Sequence, residues 1–135
     1  MRIMALDVGE RRIGIALSDK LNLTAQPFKV IERDNKEIQE LKKIIEEKGI
    51  KKIVFGIPLN SRGGETEQSK KIREFAKKLN KEIPICIDFY DERFSTSEIE
   101  KILISARITR KKRKNLRDIL SAVIILQSYL DRRKI

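Results

Sequence analysis

The chain has 135 residues, 38% of them charged and 40% hydrophobic, and its 31 Lys and Arg outnumber 20 Asp and Glu for a net charge of +11. It contains no His and a single Cys, Cys86, so an internal disulfide and a structural zinc site are excluded, and any metal is expected to be a hard ion held by oxygens. No apolar run approaches the ~20 residues of a membrane span.

Asp7 and Gly9 interrupt the only early apolar stretch, so no signal peptide is expected and the cytoplasm is the expected compartment. The length fits one domain, residues 1–135, with a real core. A surface this basic suits a polyanionic partner, nucleic acid first, although a charge-rich thermophilic surface would share much of this composition.

Residues 3–6 are apolar and run into Asp7, Val8 and Gly9. The run reads as a strand buried on both faces. A carboxylate at its end must be bonded, paired or holding a cation; in the plainer reading, Asp-x-Gly is turn chemistry with the glycine at positive φ. Ile13, Ile15 and Leu17 then alternate with Gly14, Ala16 and Ser18, which predicts a second strand in a hairpin with the first. Phe28, Val30 and Glu32 alternate with Lys29 and Ile31 in a third strand, an edge candidate because Pro27 stands near its start.

A helix is expected from Asn35, with Ile38, Leu41, Ile44 and Ile45 as its stripe and Gly49 as its stop. Residues 52–57 form another buried strand, followed by a flexible polar loop at 58–64. A second helix follows from about Thr66, with Ile72, Phe75, Ala76 and Leu79 on one face. Residues 84–90 are a fifth strand running into Asp91 and Glu92. Ser95 and Glu98 form a capping box for a third helix. A basic, breaker-rich segment at 107–114 precedes a last helix at about 115–130, whose main face is read as Leu116, Ile119, Leu120, Val123, Ile124 and Gln127. Asp118, Ser121, Ala122 and Ile125 share a flanking face, where small residues would let the helix approach the sheet and bring Asp118 to its edge.

This order predicts an α/β fold, a five-stranded sheet with helices on both faces. Ligands of such sheets collect beyond the carboxyl ends of the strands, where Asp7, the 58–64 loop and the Asp91–Glu92 pair stand. Asp7, Asp118 and either Asp91 or Glu92 could converge, and a divalent cation would relieve their repulsion. A basic surface around such a cation is what a nuclease needs.

The chain resembles the YqgF/RuvX family, whose fold is ribonuclease H-like and related to Holliday-junction resolvases. The resemblance rests on four blocks in order: Leu6-Asp7-Val8-Gly9 with Arg12-Ile13-Gly14-Ile15-Ala16; Gly56-Ile57-Pro58-Leu59-Asn60; Asp91-Glu92-Arg93-Phe94-Ser95-Thr96; and Asp118 with Ser121-Ala122-Val123-Ile124-Ile125-Leu126. It departs slightly at Ile119, where a small residue is often found. The resemblance implies a mixed sheet of strand order 3-2-1-4-5 with the second strand antiparallel. It implies Asp7, Glu92 and Asp118 as catalytic acids and ligands of Mg²⁺ or Mn²⁺, and it selects Glu92 over Asp91.

Members of the family are regarded as nucleases that process the 5′ end of precursor 16S ribosomal RNA, and some are assigned junction-resolving activity on DNA. Precursor rRNA or branched DNA is therefore the expected partner, with no membrane, for a monomer or homodimer. The candidates for contacting nucleic acid are Gly9, Arg12, Asn60, Arg93, Arg110, Lys111, Lys112, Arg113 and Lys114. Gly9 and Gly14 would let a backbone lie close to the metal. Two other classes compete. One is an actin-like ATPase or sugar kinase, which would need a second such domain; the other is a nucleic-acid-binding protein without turnover.

Overall fold

The computed structural model describes the backbone of residues 2–92 and 110–133, and the side chains of 2–92 and 116–132. In chain order the elements are β1 (Arg2–Val8), β2 (Arg12–Ser18), β3 (Ala25–Glu32), α1 (Glu37–Lys48), β4 (Ile50–Ile57), α2 (Glu67–Glu82), β5 (Cys86–Asp91) and α3 (Arg110–Arg133). The sheet order is β3-β2-β1-β4-β5. β2 is antiparallel to both β1 and β3, while β1, β4 and β5 run parallel. The helix expected from Ser95 lies outside the described residues.

Alternation along the strands divides the core in two. Met4, Leu6 and Val8 of β1 and Ile13, Ile15 and Leu17 of β2 face α1 and α2, meeting Leu41, Ile45, Phe75 and Leu79. Ile3 and Ala5 of β1, Ala16 of β2 and Val54 of β4 face α3, meeting Ala122, Ile125, Leu126, Tyr129 and Leu130. Helices therefore cover both faces. Asp7 follows Ile3 and Ala5 by twos and belongs to the α3 side.

The helix ends follow local chemistry. Gly49 adopts φ 64° and donates its N–H to the Ile45 carbonyl, closing α1. A side chain would be strained at that dihedral. Thr66 and Ser69 exchange side-chain-to-backbone bonds at the start of α2, so two of its unpaired N–H groups are met. Thr66 Oγ1 also donates to the Pro58 carbonyl at 2.7 Å, fastening the preceding loop to the helix.

Several expectations need correction. Gly9 is not at positive φ; among the described glycines only Gly49 and Gly63 are. Its N–H instead bonds the Arg12 carbonyl at 2.8 Å and closes the hairpin. The alternation of β3 breaks where the β2–β3 register slips between the Ile15–Lys29 and Ala16–Pro27 pairs. Phe28 is the extra residue, so it packs on the same core as Ile31 rather than opposite it.

Within the 58–64 loop Asn60 Oδ1 accepts the N–H groups of Arg62 and Gly64 at 2.9 and 2.8 Å. The last helix is already formed at Arg110, ahead of the expected start near 115; Lys and Arg are good helix formers, and nothing in 110–114 breaks a helix. Its seated face is also the other one. Ser121, Ala122, Ile125 and Leu126 are buried while Leu116 is 37% exposed. The sheet surface it meets combines Ile3 and Val54 with Ala5 and Ala16, and the helix face that carries Ala122, Ile125, Leu126, Tyr129 and Leu130 packs on it.

Candidate active site

Three elements deliver the acids. Asp7 is the penultimate residue of β1 and pairs across the ladder with Gly14 of β2. Glu92 follows the last residue of β5, and its N–H still bonds the Ile57 carbonyl of β4 at 3.1 Å. Asp118 comes from α3. β1 and β5 both run parallel to β4, so Asp7 and Glu92 emerge at the same carboxyl end of the sheet.

Two glycines let α3 reach that end. A Cβ at Gly14 would run into the backbone carbonyl of Asp118 itself. A Cβ at Gly56 would meet the Ile125 side chain and lie 3.0 Å from Glu92 Oε2. Gly14 therefore accommodates the backbone of α3, the helix that carries Asp118, rather than leaving room for a ligand's backbone.

Asp7, Glu92 and Asp118 line one cavity of about 270 Å³ together with Pro58, Leu59, Gln68, Arg117 and Ser121. Burial, and then the charge of Asp118, raise the Asp7 carboxyl to about 6, against the pull of a hydrogen bond with Ser121 and the charge of Arg117. Burial, followed by the charges of Asp7 and Asp91, raises Glu92 to about 8. Negative charge is crowded here, and a cation would relieve it.

The donors are carboxylate oxygens, which suit Mg²⁺ or Mn²⁺. Among the described residues no group of three or more His, Cys, Asp and Glu side chains is placed so that it could hold a metal ion as it stands.

The candidates for contacting nucleic acid scatter. Arg12 Nε donates to Asp118 Oδ2 at 2.9 Å. Gly9 lines a different cavity, of about 620 Å³, beside α2, and its carbonyl accepts Arg33 Nη1 at 2.8 Å. Asn60 is engaged in its own loop. Arg93 lies outside the described residues, as do the side chains of Arg110, Lys111, Lys112, Arg113 and Lys114. Sequence reasoning missed Arg117 and Gln68 as cavity residues. Arg117 sits beside Asp118 and one turn before Ser121, a spacing that points to it, but 31 basic residues conceal one.

The profile of a protein family described as "RuvX: Holliday junction resolvase" matches residues 1–132. The chain belongs to the RuvX family. Relatives in this family include a protein of Clostridioides difficile, 48% identical over 96% of this chain and 94% of its own length, and one of Dictyoglomus thermophilum, 44% identical over 97% and 96%. Both are named "Putative pre-16S rRNA nuclease". These RuvX relatives thus carry nuclease names.

Solved structures share the fold at low identity. Thermus thermophilus RuvC bound to a Holliday junction substrate is 13% identical with a TM-score of 0.60, over 99% of this chain and 96% of that one. Fowlpox virus resolvase with junction DNA is 14% identical with a TM-score of 0.62, over 98% and 99%. The RuvX chain therefore has the ribonuclease H-like architecture of these resolvases, with the sheet order read from the resemblance.

Proposed function

We propose that this chain is a metal-dependent nuclease that processes the 5′ end of precursor 16S rRNA, with Asp7, Glu92 and Asp118 as its catalytic acids and cation ligands. One observation carries the reading: acids from β1, the end of β5 and α3 line a single cavity. Mg²⁺ bound there would supply the positive charge that polarises a phosphate and makes a water nucleophilic at neutral pH.

The chain's own groups prepare that cavity. Ser121 bonds Asp7, Arg12 holds one oxygen of Asp118, and Pro58 and Leu59 form an apolar part of the wall. The substrate assignment follows the names of the relatives. The cytoplasm, where ribosomes are built, is the compartment this reading requires, and no helix among the described residues is long and apolar enough to cross a membrane.

A second reading is resolution of four-way DNA junctions, favoured by the family's description and by the fold shared with RuvC. One assay tests both. Precursor 16S rRNA and a synthetic four-way junction are offered to wild type and Asp7→Asn, with Mg²⁺ and with chelator. Cleavage of the RNA alone, abolished by chelator and by Asp7→Asn, is expected. Junction cleavage alone selects the second reading, and full activity of Asp7→Asn overturns the site.

A further inference from the structure

We propose that Arg117 is a substrate-binding residue of this cavity, gripping a non-bridging phosphate oxygen of the nucleic-acid backbone beside Asp7, Glu92 and Asp118. The inference rests on the nuclease reading and adds the residue that admits a polyanion to an acidic pocket. Three carboxylates repel an incoming phosphodiester. Among the described residues lining the cavity, Arg117 alone carries positive charge.

It is placed by helix geometry. Arg117 precedes Asp118 and stands one turn before Ser121, and all three side chains reach the same cavity from α3. A guanidinium is planar and always charged, and it presents paired N–H donors that match phosphate oxygens. Basic side chains elsewhere on this +11 chain attract the polymer without fixing where it sits. A cation beside the acids holds one phosphate in register with them.

The test is binding in chelator, so that no cleavage is required. Fluorescein-labelled precursor 16S leader RNA and a labelled four-way DNA junction are titrated with wild type, Arg117→Gln and Arg117→Lys across a range of KCl concentrations. Arg117→Gln is expected to weaken binding and to make the slope of log affinity against log salt shallower by about one, the signature of one lost phosphate contact. Arg117→Lys is expected to restore the slope, because it keeps the charge, and only part of the affinity. Melting temperatures measured alongside separate this from a structural role. Unchanged affinity and slope in Arg117→Gln, whether or not its melting temperature falls, overturn the proposal. Absence of cleavage by wild type in Mg²⁺ would count against the nuclease reading while leaving this binding measurement intact.

Discussion

Arg12 Nε donates to Asp118 Oδ2 at 2.9 Å, joining the first residue of β2 to a candidate catalytic acid 106 positions away. The two side chains are 27% and 26% exposed, so solvent screening leaves the pair little weight in stability. Its effect is to orient one carboxylate oxygen. Arg12→Met is therefore expected to raise the Mg²⁺ concentration needed for half-maximal cleavage by about 10- to 100-fold, the usual cost of losing a partner that orients a ligand. The melting temperature in chelator should hardly move. A Mg²⁺ titration of cleavage rates checks this, with Arg12→Lys expected to recover part of the loss.

Gly14 and Gly49 are needed for different reasons. Gly14→Ala drives a methyl group into the Asp118 carbonyl and should cost about 2–3 kcal/mol while displacing α3. Gly49 has open space around it but sits at φ 64°, so Gly49→Ala should cost only about 1 kcal/mol of backbone strain and leave activity intact. Urea denaturation gives both costs. Cleavage assayed where both variants remain folded should separate them, with Gly14→Ala inactive.

The acids should oppose folding when no cation is present. Asp7 and Glu92 titrate higher in the folded protein, at about 6 and about 8, than their ordinary values of 3.8 and 4.5. Between pH 4 and 8 the native state thus binds more protons than the unfolded chain, and the contribution of these groups to stability falls as pH rises through that window. In chelator, Asp7→Asn and Glu92→Gln should each melt a few degrees above wild type at pH 8, on the order of 1 kcal/mol or more. The gain should vanish near pH 4 and shrink when Mg²⁺ is added. Melting curves across pH with and without Mg²⁺ make the comparison.

Thr66 both caps α2 and holds the Pro58 carbonyl. Thr66→Ala should cost about 1 kcal/mol through the lost cap, and Thr66→Ser should cost much less. Because Pro58 and Leu59 wall the cavity, the alanine variant should also show a higher KM with a smaller change in kcat. Steady-state kinetics of the two variants provide the check.

Much of the fold was legible because its signals are local. Buried strands announce themselves as apolar runs, Gly49 and Thr66 mark helix ends, and Asp7 stands out at the end of a central strand. The seated face of α3 was legible only in part, through the small Ser121 and Ala122 beside Asp118. Leu116, Ile119 and Val123 form a plausible apolar stripe, and nothing in the helix reveals that its sheet surface offers Ala5, Gly14, Ala16 and Gly56. Only the assembled sheet shows that the face of Ala122, Ile125 and Leu126 is the one that fits there. The same holds for Arg12, whose engagement by Asp118 depends on two distant segments meeting.

The seat of α3 on Gly14 bears on the protein's birth. Asp7 is synthesised early and Asp118 late, and the pocket exists only once the late helix has docked against the early hairpin. A nascent chain still tethered to its ribosome lacks a competent cleft until translation has passed α3.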